Sequence, residues 1–313
     1  MPLLSLVIPV YNEEENLPEL ARQLGEALSS LDYEAVFVDD GSRDRSFELL
    51  RGLAAREPRF RVVRLATNFG QTAAMAAGID HARGEVIAFL DSDLQNDPAD
   101  IPAMLARLGE DCDAVSGWRR RRQDALLSRK IPSWAANWVI SRVTGVRLHD
   151  YGCTLKLYRA RFLKGLKLYG EMHRFIPAYA GFMGARIVEM EVNHRPRTRG
   201  VSKYGLMRTF KVVLDLMTVK FMDEYITKPI YLFGGGGLLM MALGGLLALE
   251  TLYKKFHLGI FVKDQPLFLV SIFFGLAGIQ LLLMGLLAEI LIRVYYDLRE
   301  RRPYFIREKV SLP

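Results

Sequence analysis

Two long segments without a charged residue limit what this chain can fold into. They run from Ile230 to Leu249 and from Gln265 to Ala288. As an α-helix, each segment is long enough to cross about 30 Å of hydrocarbon. Two buried helices of a soluble core are the alternative, but charge-free stretches of this length favour membrane spans. The sequence therefore predicts a C-terminal region of two transmembrane helices joined by a connector.

The basic residues around these segments predict their orientation. The flanking regions hold Lys211, Lys220, Lys228, Arg293, Arg299, Arg301, Arg302, Arg307 and Lys309, and the connector holds Lys254, Lys255 and Lys263. Because cytoplasmic loops carry the excess of lysine and arginine, both termini are expected in the cytoplasm and the connector outside. Residues 1–4 lack the basic region and cleavage site of a signal peptide, so the large N-terminal part is also expected in the cytoplasm.

The charge balance bears on the expected partners. A net charge of +7 fits an anionic membrane surface and phosphorylated substrates as well as it fits nucleic acid. The two spans make the membrane the expected partner, and no nucleic acid is expected. Two cysteines, Cys112 and Cys153, are too few for a disulfide framework and fit a reducing compartment.

Apolar runs alternate with helical patterns through the first third of the chain. The runs are residues 4–10, 34–38, 61–65, 86–90 and 114–116, and the helical patterns are residues 16–31, 45–56, 72–82 and 98–108. Strands that are buried on both faces read as solid apolar runs, so this alternation predicts an α/β fold. We expect a mostly parallel sheet with helices on both faces.

Polar and acidic residues follow four of the predicted strands. They are Asn12 and Glu13, Asp39 and Asp40, Asn68, and Asp91 and Asp93. Helix caps and turns account for some of them, but not for two carboxylate clusters at the edge where parallel sheets bind ligands. This edge is the candidate nucleotide site. No G-x-G-x-x-G follows the first strand and no G-x-x-x-x-G-K-[ST] occurs, so neither a dinucleotide enzyme nor a P-loop ATPase is expected.

The pentapeptide Asp91-Ser92-Asp93-Leu94-Gln95 is the candidate metal site. Two carboxylates and an amide oxygen at alternate positions are hard oxygen ligands of the kind that Mg²⁺ and Mn²⁺ bind together with phosphates. The alternative is an ordinary turn, since short acidic motifs also shape loops and cap helices. The position at the end of a buried strand favours a metal site of Asp91, Asp93 and Gln95.

Seven motifs occur in order along the chain. They are V-I-P-V-Y-N-E-E at residues 7–14, V-D-D-G-S at 38–42, N-F-G-Q at 68–71, D-S-D-L-Q at 91–95, D-Y-G-C at 150–153, H-R-F-I-P at 173–177 and R-x-x-G-x-S-K-Y at 197–204. Together they resemble the family 2 glycosyltransferases, which have the Rossmann-like GT-A fold. More narrowly, the chain is similar to polyprenyl-phosphate glycosyltransferases such as dolichol-phosphate mannose synthase and its bacterial undecaprenyl-phosphate relatives.

The resemblance implies an inverting transfer of a sugar from a nucleotide sugar to the phosphate of a polyprenyl lipid, with Mg²⁺ or Mn²⁺ as cofactor. By motif position, the nucleoside would be held by Pro9, Tyr11, Glu13 and Asp40, and the metal and diphosphate by Asp91, Asp93 and Gln95. The donor and acceptor phosphates would be served by Arg119, Arg129, Arg199 and Lys203.

One position departs from the family pattern. Some relatives carry an acidic residue where this chain has Cys153, and such a residue can act as a base or orient the acceptor. Asp150, His173 and Arg174 are the candidates for that role here. For His173, contact with a phosphate or a structural role is favoured over a role as base. Because the acceptor phosphate is mostly dianionic at neutral pH, a strong base is less necessary than cations.

The expected organisation follows from these patterns. Residues 1–204 form a cytoplasmic GT-A domain, 205–228 an amphipathic interfacial helix, 229–252 and 265–292 the two spans, 253–264 the outer connector and 293–313 a cytoplasmic tail. An ordinary core helix is the alternative for residues 205–228. Glycines in the spans allow close helix packing, either within the chain or in a homo-oligomer.

The expected product is a lipid-linked sugar donor for modifying cell-envelope glycans, with UDP preferred over GDP in the donor. The alternatives are a GDP-mannose-dependent synthase and a catalytically silent scaffold of the same fold. A processive polysaccharide synthase should have more spans and a Q-x-x-R-W motif, and this chain has neither.

Overall fold

The computed structural model describes residues 3–109, 111–120, 137, 140–142, 144–166, 168, 170, 172–195, 229–297 and 306–310. The chain divides into two compact units. The first comprises residues 1–216 and 302–313, and the second comprises residues 217–301. The predicted amphipathic helix at residues 205–228 lies outside the described residues.

Among the described residues, eight strands of the first unit form one mixed sheet. The strands are β1 Leu4–Val10, β2 Tyr33–Asp39, β3 Phe60–Leu65, β4 Val86–Phe89, β5 Ala114–Trp118, β6 Lys156–Arg159, β7 Ile187–Glu191 and β8 Ile306–Val310. Their order across the sheet is β7-β5-β6-β4-β1-β2-β3-β8. Strands β4, β1, β2 and β3 are parallel neighbours, whereas β6 and β8 run against their partners. The prediction of a mostly parallel sheet is therefore confirmed.

Helices cover both faces of this sheet. They are α1 Leu17–Ala27, α2 Ser46–Arg56, α3 Gln71–His81, α4 Ile101–Arg107 and α5 Ile176–Phe182. Successive residues of β1 point to opposite faces, so Leu6 and Ile8 join one apolar cluster with α1 and α2, while Val7 joins the other with α3. Every residue of β2 is buried. This two-sided burial explains why the central strands read as solid apolar runs.

The sequence did not reveal three of the strands. Strands β6 and β7 are short and carry charged residues, among them Lys156 and Glu189, so no apolar run marks them. Strand β8 lies within residues 293–313, which were predicted to be a tail. It pairs antiparallel with β3, Val310 opposite Val62 and Ile306 opposite Leu65, and so adds a strand to the edge of the sheet.

The second unit contains two long helices, α6 Pro229–Leu258 and α7 Pro266–Asp297. Both are long and apolar enough to cross a membrane. The two helices pack closely at glycine residues. A Cβ added to Gly237 would lie 2.6 Å from the carbonyl oxygen of Gly278, and a Cβ added to Gly244 would lie 2.9 Å from the carbonyl oxygen of Ser271. These glycines therefore serve helix contact within the chain. A short 3₁₀ turn, Val262–Asp264, lies between the helices.

Candidate active site

The acidic pentapeptide lies at the carboxyl edge of the sheet, directly after β4. The Ser92 hydroxyl donates to the carbonyl oxygen of Pro9 at the end of β1, at 3.0 Å, and so ties the two strand ends together. Leu94 has a φ of +62°, an unusual conformation for a residue with a side chain. The backbone N–H of Gln95 then donates to Asp93 Oδ1 at 3.2 Å. Asp93 is thereby fixed beside Asp91 at this edge.

Two neutral donors orient Asp91. Gln71, the first residue of α3, donates from Nε2 to Asp91 Oδ1 at 3.0 Å, and the Thr154 hydroxyl donates to Oδ2 at 2.6 Å. Burial, together with the charge of Asp93, raises the pKa of Asp91 to about 6. A cation bound at this point would relieve the repulsion between the two carboxylates.

The donor set suits a metal ion that is shared with a substrate. Among the described residues, no group of three or more His, Cys, Asp or Glu side chains is arranged to hold a metal. Mg²⁺ commonly takes one or two carboxylates from the protein and completes its coordination with water and substrate phosphates. Asp91 and Asp93 fit that pattern and do not form a closed protein cage.

Asp40, a predicted nucleoside-binding residue, organises the neighbouring loop. Its carboxylate accepts hydrogen bonds from the backbone N–H groups of Phe69 at 2.7 Å and Gly70 at 2.9 Å, and from Asn68 Nδ2 at 3.0 Å. Burial raises the pKa of Asp40. Because Gly70 directly precedes α3, this carboxylate fixes the start of the helix that carries Gln71.

The other predicted nucleoside-binding residues lie at the end of β1 and just beyond it. Pro9 and Tyr11 are partly buried. Glu13 is also partly buried, and it accepts a hydrogen bond from Asn16 Nδ2 at 2.5 Å. Its backbone N–H donates to the Ser46 hydroxyl at the start of α2, at 2.9 Å. These contacts join the loops that follow β1 and β2 at the carboxyl edge.

Arg119 and Asp150 form an ion pair in which Asp150 is buried and Arg119 is partly buried. Arg119 Nε donates to Asp150 Oδ2 at 2.7 Å and Nη2 donates to Oδ1 at 2.9 Å, so the contact is bidentate. Burial acts against the charge of Arg119, but the hydrogen bonds to Asp150 outweigh it and raise the pKa of the guanidinium. A Cβ on Gly152 would lie 3.2 Å from Arg119 Nη2. Asp150, a candidate base or orienting residue, is thus engaged by a residue predicted to serve the phosphates.

The remaining candidates for acceptor chemistry are placed as follows. Cys153 is 1% exposed, and burial raises the pKa of its thiol, which keeps it neutral at neutral pH. His173 Nδ1 lies 2.7 Å from the Thr72 hydroxyl in the first turn of α3. His173 and Arg174 both lie in the 3₁₀ turn Met172–Phe175 and are partly buried. Arg129, Arg199 and Lys203 lie outside the described residues.

The segment before residue 196 runs beside the acidic pentapeptide. The backbone N–H of Arg195 donates to the carbonyl oxygen of Gln95 at 2.9 Å, and the Arg195 guanidinium pairs with Asp97. Asn193 bonds Asp100 through its backbone N–H at 2.7 Å and through its side chain at 2.9 Å. The chain that leads to the basic motif at residues 197–204 is therefore anchored next to the candidate metal site.

Sequence reasoning missed the two residues that orient Asp91. Gln71 belongs to the N-F-G-Q motif, but nothing in that motif indicated which group its side chain would contact. Thr154 follows the D-Y-G-C motif and reaches Asp91 across a separation of 63 residues. Only the antiparallel pairing of β6 with β4 brings it there.

Comparison with known proteins identifies a matching sequence family and relatives that match nearly the whole chain. A sequence model described as "Glycosyl transferase family 2" matches residues 5–183. The dodecaprenyl-phosphate galacturonate synthase of Rhizobium johnstonii is 47% identical over 97% of this chain and 92% of its own length. The undecaprenyl-phosphate 4-deoxy-4-formamido-L-arabinose transferase of Pseudomonas aeruginosa is 42% identical over 98% and 90%.

Solved structures share the fold. Glucosyl-3-phosphoglycerate synthase from Mycobacterium tuberculosis, crystallised with Mn²⁺, UDP and glucosyl-3-phosphoglycerate, superposes with a TM-score of 0.57. The match covers 71% of this chain and 80% of that protein at 16% sequence identity. A further structure of that synthase, with Mg²⁺ and UDP, superposes with a TM-score of 0.54 at 15% identity, over 71% of this chain and 79% of that protein.

Proposed function

The chain belongs to the family 2 glycosyl transferases, and on that premise we propose that it moves a sugar from a nucleotide sugar to a polyprenyl phosphate. The product is a lipid-linked sugar donor for cell-envelope glycans. Two relatives that match nearly the whole chain are named for polyprenyl-phosphate sugar transfer, and this supports the acceptor class. The observation that carries the proposal is the neighbouring pair Asp91 and Asp93 at the carboxyl edge of the sheet, close to the ion pair of Arg119 and Asp150.

In this proposal Asp91 and Asp93, with Gln95, hold Mg²⁺ or Mn²⁺ against the diphosphate of the donor. Such an ion stabilises the negative charge that the leaving nucleoside diphosphate gains. Gln71 and Thr154 keep Asp91 in one orientation through their hydrogen bonds to its two oxygens. The site is thus organised before the substrates arrive, which lowers the cost of forming the reactive complex.

The chain's cations are proposed to bring two anions together. Arg119, Arg129, Arg199 and Lys203 serve the donor and acceptor phosphates, with Asp150 orienting Arg119. A dianionic acceptor phosphate is already a competent nucleophile at neutral pH, so its oxygen attacks the anomeric carbon without a strong base. The neutral thiol of Cys153 is compatible with that route, because no carboxylate is required at this position.

Pro9, Tyr11, Glu13 and Asp40 are proposed to hold the nucleoside, with Asp40 acting through the 68–70 loop that it binds. UDP is the proposed carrier and GDP the alternative. Galacturonate and 4-deoxy-4-formamido-L-arabinose are the first sugars to test, because the relatives named for them match nearly the whole chain. The helices α6 and α7 are proposed to span the cytoplasmic membrane, with the catalytic unit and both termini in the cytoplasm.

The experiment combines a donor panel with one substitution. Purified full-length protein is incubated with undecaprenyl phosphate, Mg²⁺ or Mn²⁺, and a panel of UDP- and GDP-sugars, and the lipid-linked sugar is measured. We expect one donor to be consumed, and Asp93→Asn to lower kcat/KM about 10³-fold, which corresponds to about 4 kcal/mol. The matched control is Asp111→Asn, a residue with a 99% exposed side chain, which should retain full transfer.

Two outcomes contradict the proposal. If no donor is consumed with either metal, the transferase assignment is wrong. If transfer occurs but Asp93→Asn matches the wild type, the metal mechanism is wrong while the transferase assignment remains.

A further inference from the structure

Lys156 is a buried lysine beside the candidate active site. It is the first residue of β6 and is only 6% exposed. Its ammonium group donates to the carbonyl oxygen of Tyr151 at 3.1 Å and also to that of Cys153. Burying an ammonium group is costly, so these contacts offset a substantial desolvation penalty. An apolar residue at this position would avoid that desolvation penalty.

The segment that Lys156 holds is the 149–154 loop, which runs from His149 to Thr154. Glu189 of β7 holds the start of the same loop, since its Oε1 accepts from the backbone N–H groups of His149 at 2.8 Å and Asp150 at 3.2 Å. Lys156 binds carbonyl groups further along. A cation and an anion from two different strands thus fix successive peptide groups of one loop.

The 149–154 loop carries two of the side chains that position residues of the site. Asp150 accepts two hydrogen bonds from Arg119, and the Thr154 hydroxyl donates to Asp91. A shift of this loop would loosen both contacts at once. Burial lowers the pKa of Lys156, whereas the charges of Asp150 and Asp91 raise it.

We propose that Lys156 is a positioning residue for the transfer reaction, one that fixes the 149–154 loop so that Thr154 meets Asp91 and Asp150 meets Arg119. The inference rests on the proposed function of the site. It assigns Lys156 no contact with substrate. Its effect is carried by the backbone of Tyr151 and Cys153.

The test compares Lys156→Met with Lys156→Arg in the full-length protein. Methionine keeps the length of the side chain and removes its donors, whereas arginine keeps both charge and donors. In Lys156→Met we expect the amide hydrogens of the 149–154 loop to exchange at least tenfold faster and kcat to fall at least tenfold. Lys156→Arg should stay within threefold of the wild type in both measurements.

The control is Lys164→Met, an exposed lysine beyond β6, which should leave exchange and turnover unchanged. Wild-type exchange and turnover in Lys156→Met would overturn the proposal, and so would an equal loss in Lys156→Arg. If Lys156→Met does not fold, Lys156→Gln, which keeps an amide donor, replaces it. In that variant we expect amide exchange of the 149–154 loop to rise at least threefold and kcat to fall at least threefold. Amide exchange is measured without substrate. If the wild-type protein transfers no sugar, the proposed function is wrong, but the effect of Lys156 on the 149–154 loop can still be measured.

Discussion

Glu34 and Asp91 are carboxylates at opposite edges of the same sheet, and they are stabilised in different ways. At the amino edge, Glu34 accepts from Arg61 Nη1 at 2.5 Å, from the Ser5 hydroxyl at 2.6 Å and from the backbone N–H of Arg83 at 2.6 Å. At the carboxyl edge, Asp91 accepts from two neutral side chains and lies beside a second carboxylate. Glu34 is paired with an arginine, whereas burial and the charge of Asp93 raise the pKa of Asp91.

Under the proposed function, this difference separates a structural cluster from a ligand-binding cluster. A buried ion pair whose remaining hydrogen bonds are satisfied joins neighbouring strands and needs nothing from solution. Two neighbouring carboxylates repel each other, and a bound cation relieves that repulsion. Substitutions at the amino edge should therefore change stability, and substitutions at the carboxyl edge should change ligand binding and turnover.

The largest expected effect on stability comes from Arg61→Met. It leaves Glu34 buried without its cation and should cost about 3–5 kcal/mol. For a domain of this size that is a fall of roughly 10 °C in the thermal midpoint, measured on the purified full-length protein. Turnover per folded molecule should match the wild type.

A double substitution sharpens this result. Glu34→Leu combined with Arg61→Met removes both charges and should recover most of the loss, because apolar side chains can replace a buried ion pair with little cost. If the double variant is as unstable as Arg61→Met, the loss comes from packing and not from an unpaired charge.

Stabilisation of the protein by a bound ligand should depend on residues at the carboxyl edge and not on residues at the amino edge. UDP with Mn²⁺ at 100 times its dissociation constant should stabilise the wild type by about 2.7 kcal/mol, and Arg61→Met by the same amount. Asp93→Asn should show little stabilisation at the same concentrations. Thermal shift with and without UDP and Mn²⁺ measures this, and an equal shift in Asp93→Asn would remove the distinction between the two edges.

The smallest expected effect comes from a matched pair of hydroxyl deletions. Thr154→Val removes a hydrogen bond to Asp91 and should lower kcat/KM roughly tenfold, about 1.5 kcal/mol, with little change in thermal midpoint. Ser5→Ala removes a hydrogen bond to Glu34 and should lower the midpoint without changing kcat/KM. Reversal of either pattern would show that the two clusters do not divide stability and ligand binding between them.

The sequence predicted the centre of the sheet and the acidic edge because local patterns encode both. Strands β1 to β4 are buried on both faces, so their composition alone marks them, and the residues that follow them must meet at one edge. Strand β6 carries Lys156 and Arg159, and β8 reads Ile-Arg-Glu-Lys-Val, so neither has an apolar signature. These strands are stabilised by pairing with distant segments, which single-sequence patterns do not record.

The candidate site, like the sheet, could be predicted from the sequence only in part. Asp91 and Asp93 were recognisable because they directly follow a buried apolar strand, at the edge where parallel sheets bind ligands. The hydrogen bond from Thr154 to Asp91 and the ion pair between Arg119 and Asp150 join residues 63 and 31 positions apart. Their partners are fixed by the antiparallel pairing of β6 with β4 and β5, which the sequence pattern did not indicate.

The pairing of β8 with β3 has a consequence for how the protein is made. Strand β3 would otherwise present an unpaired row of backbone N–H and C=O groups, the kind of edge at which sheets of separate molecules join. Strand β8 follows both long helices in the chain, so this edge stays open until α6 and α7 have been synthesised. Chains that stop short of Ile306 should therefore be prone to aggregation even though every residue of the acidic cluster is already in place.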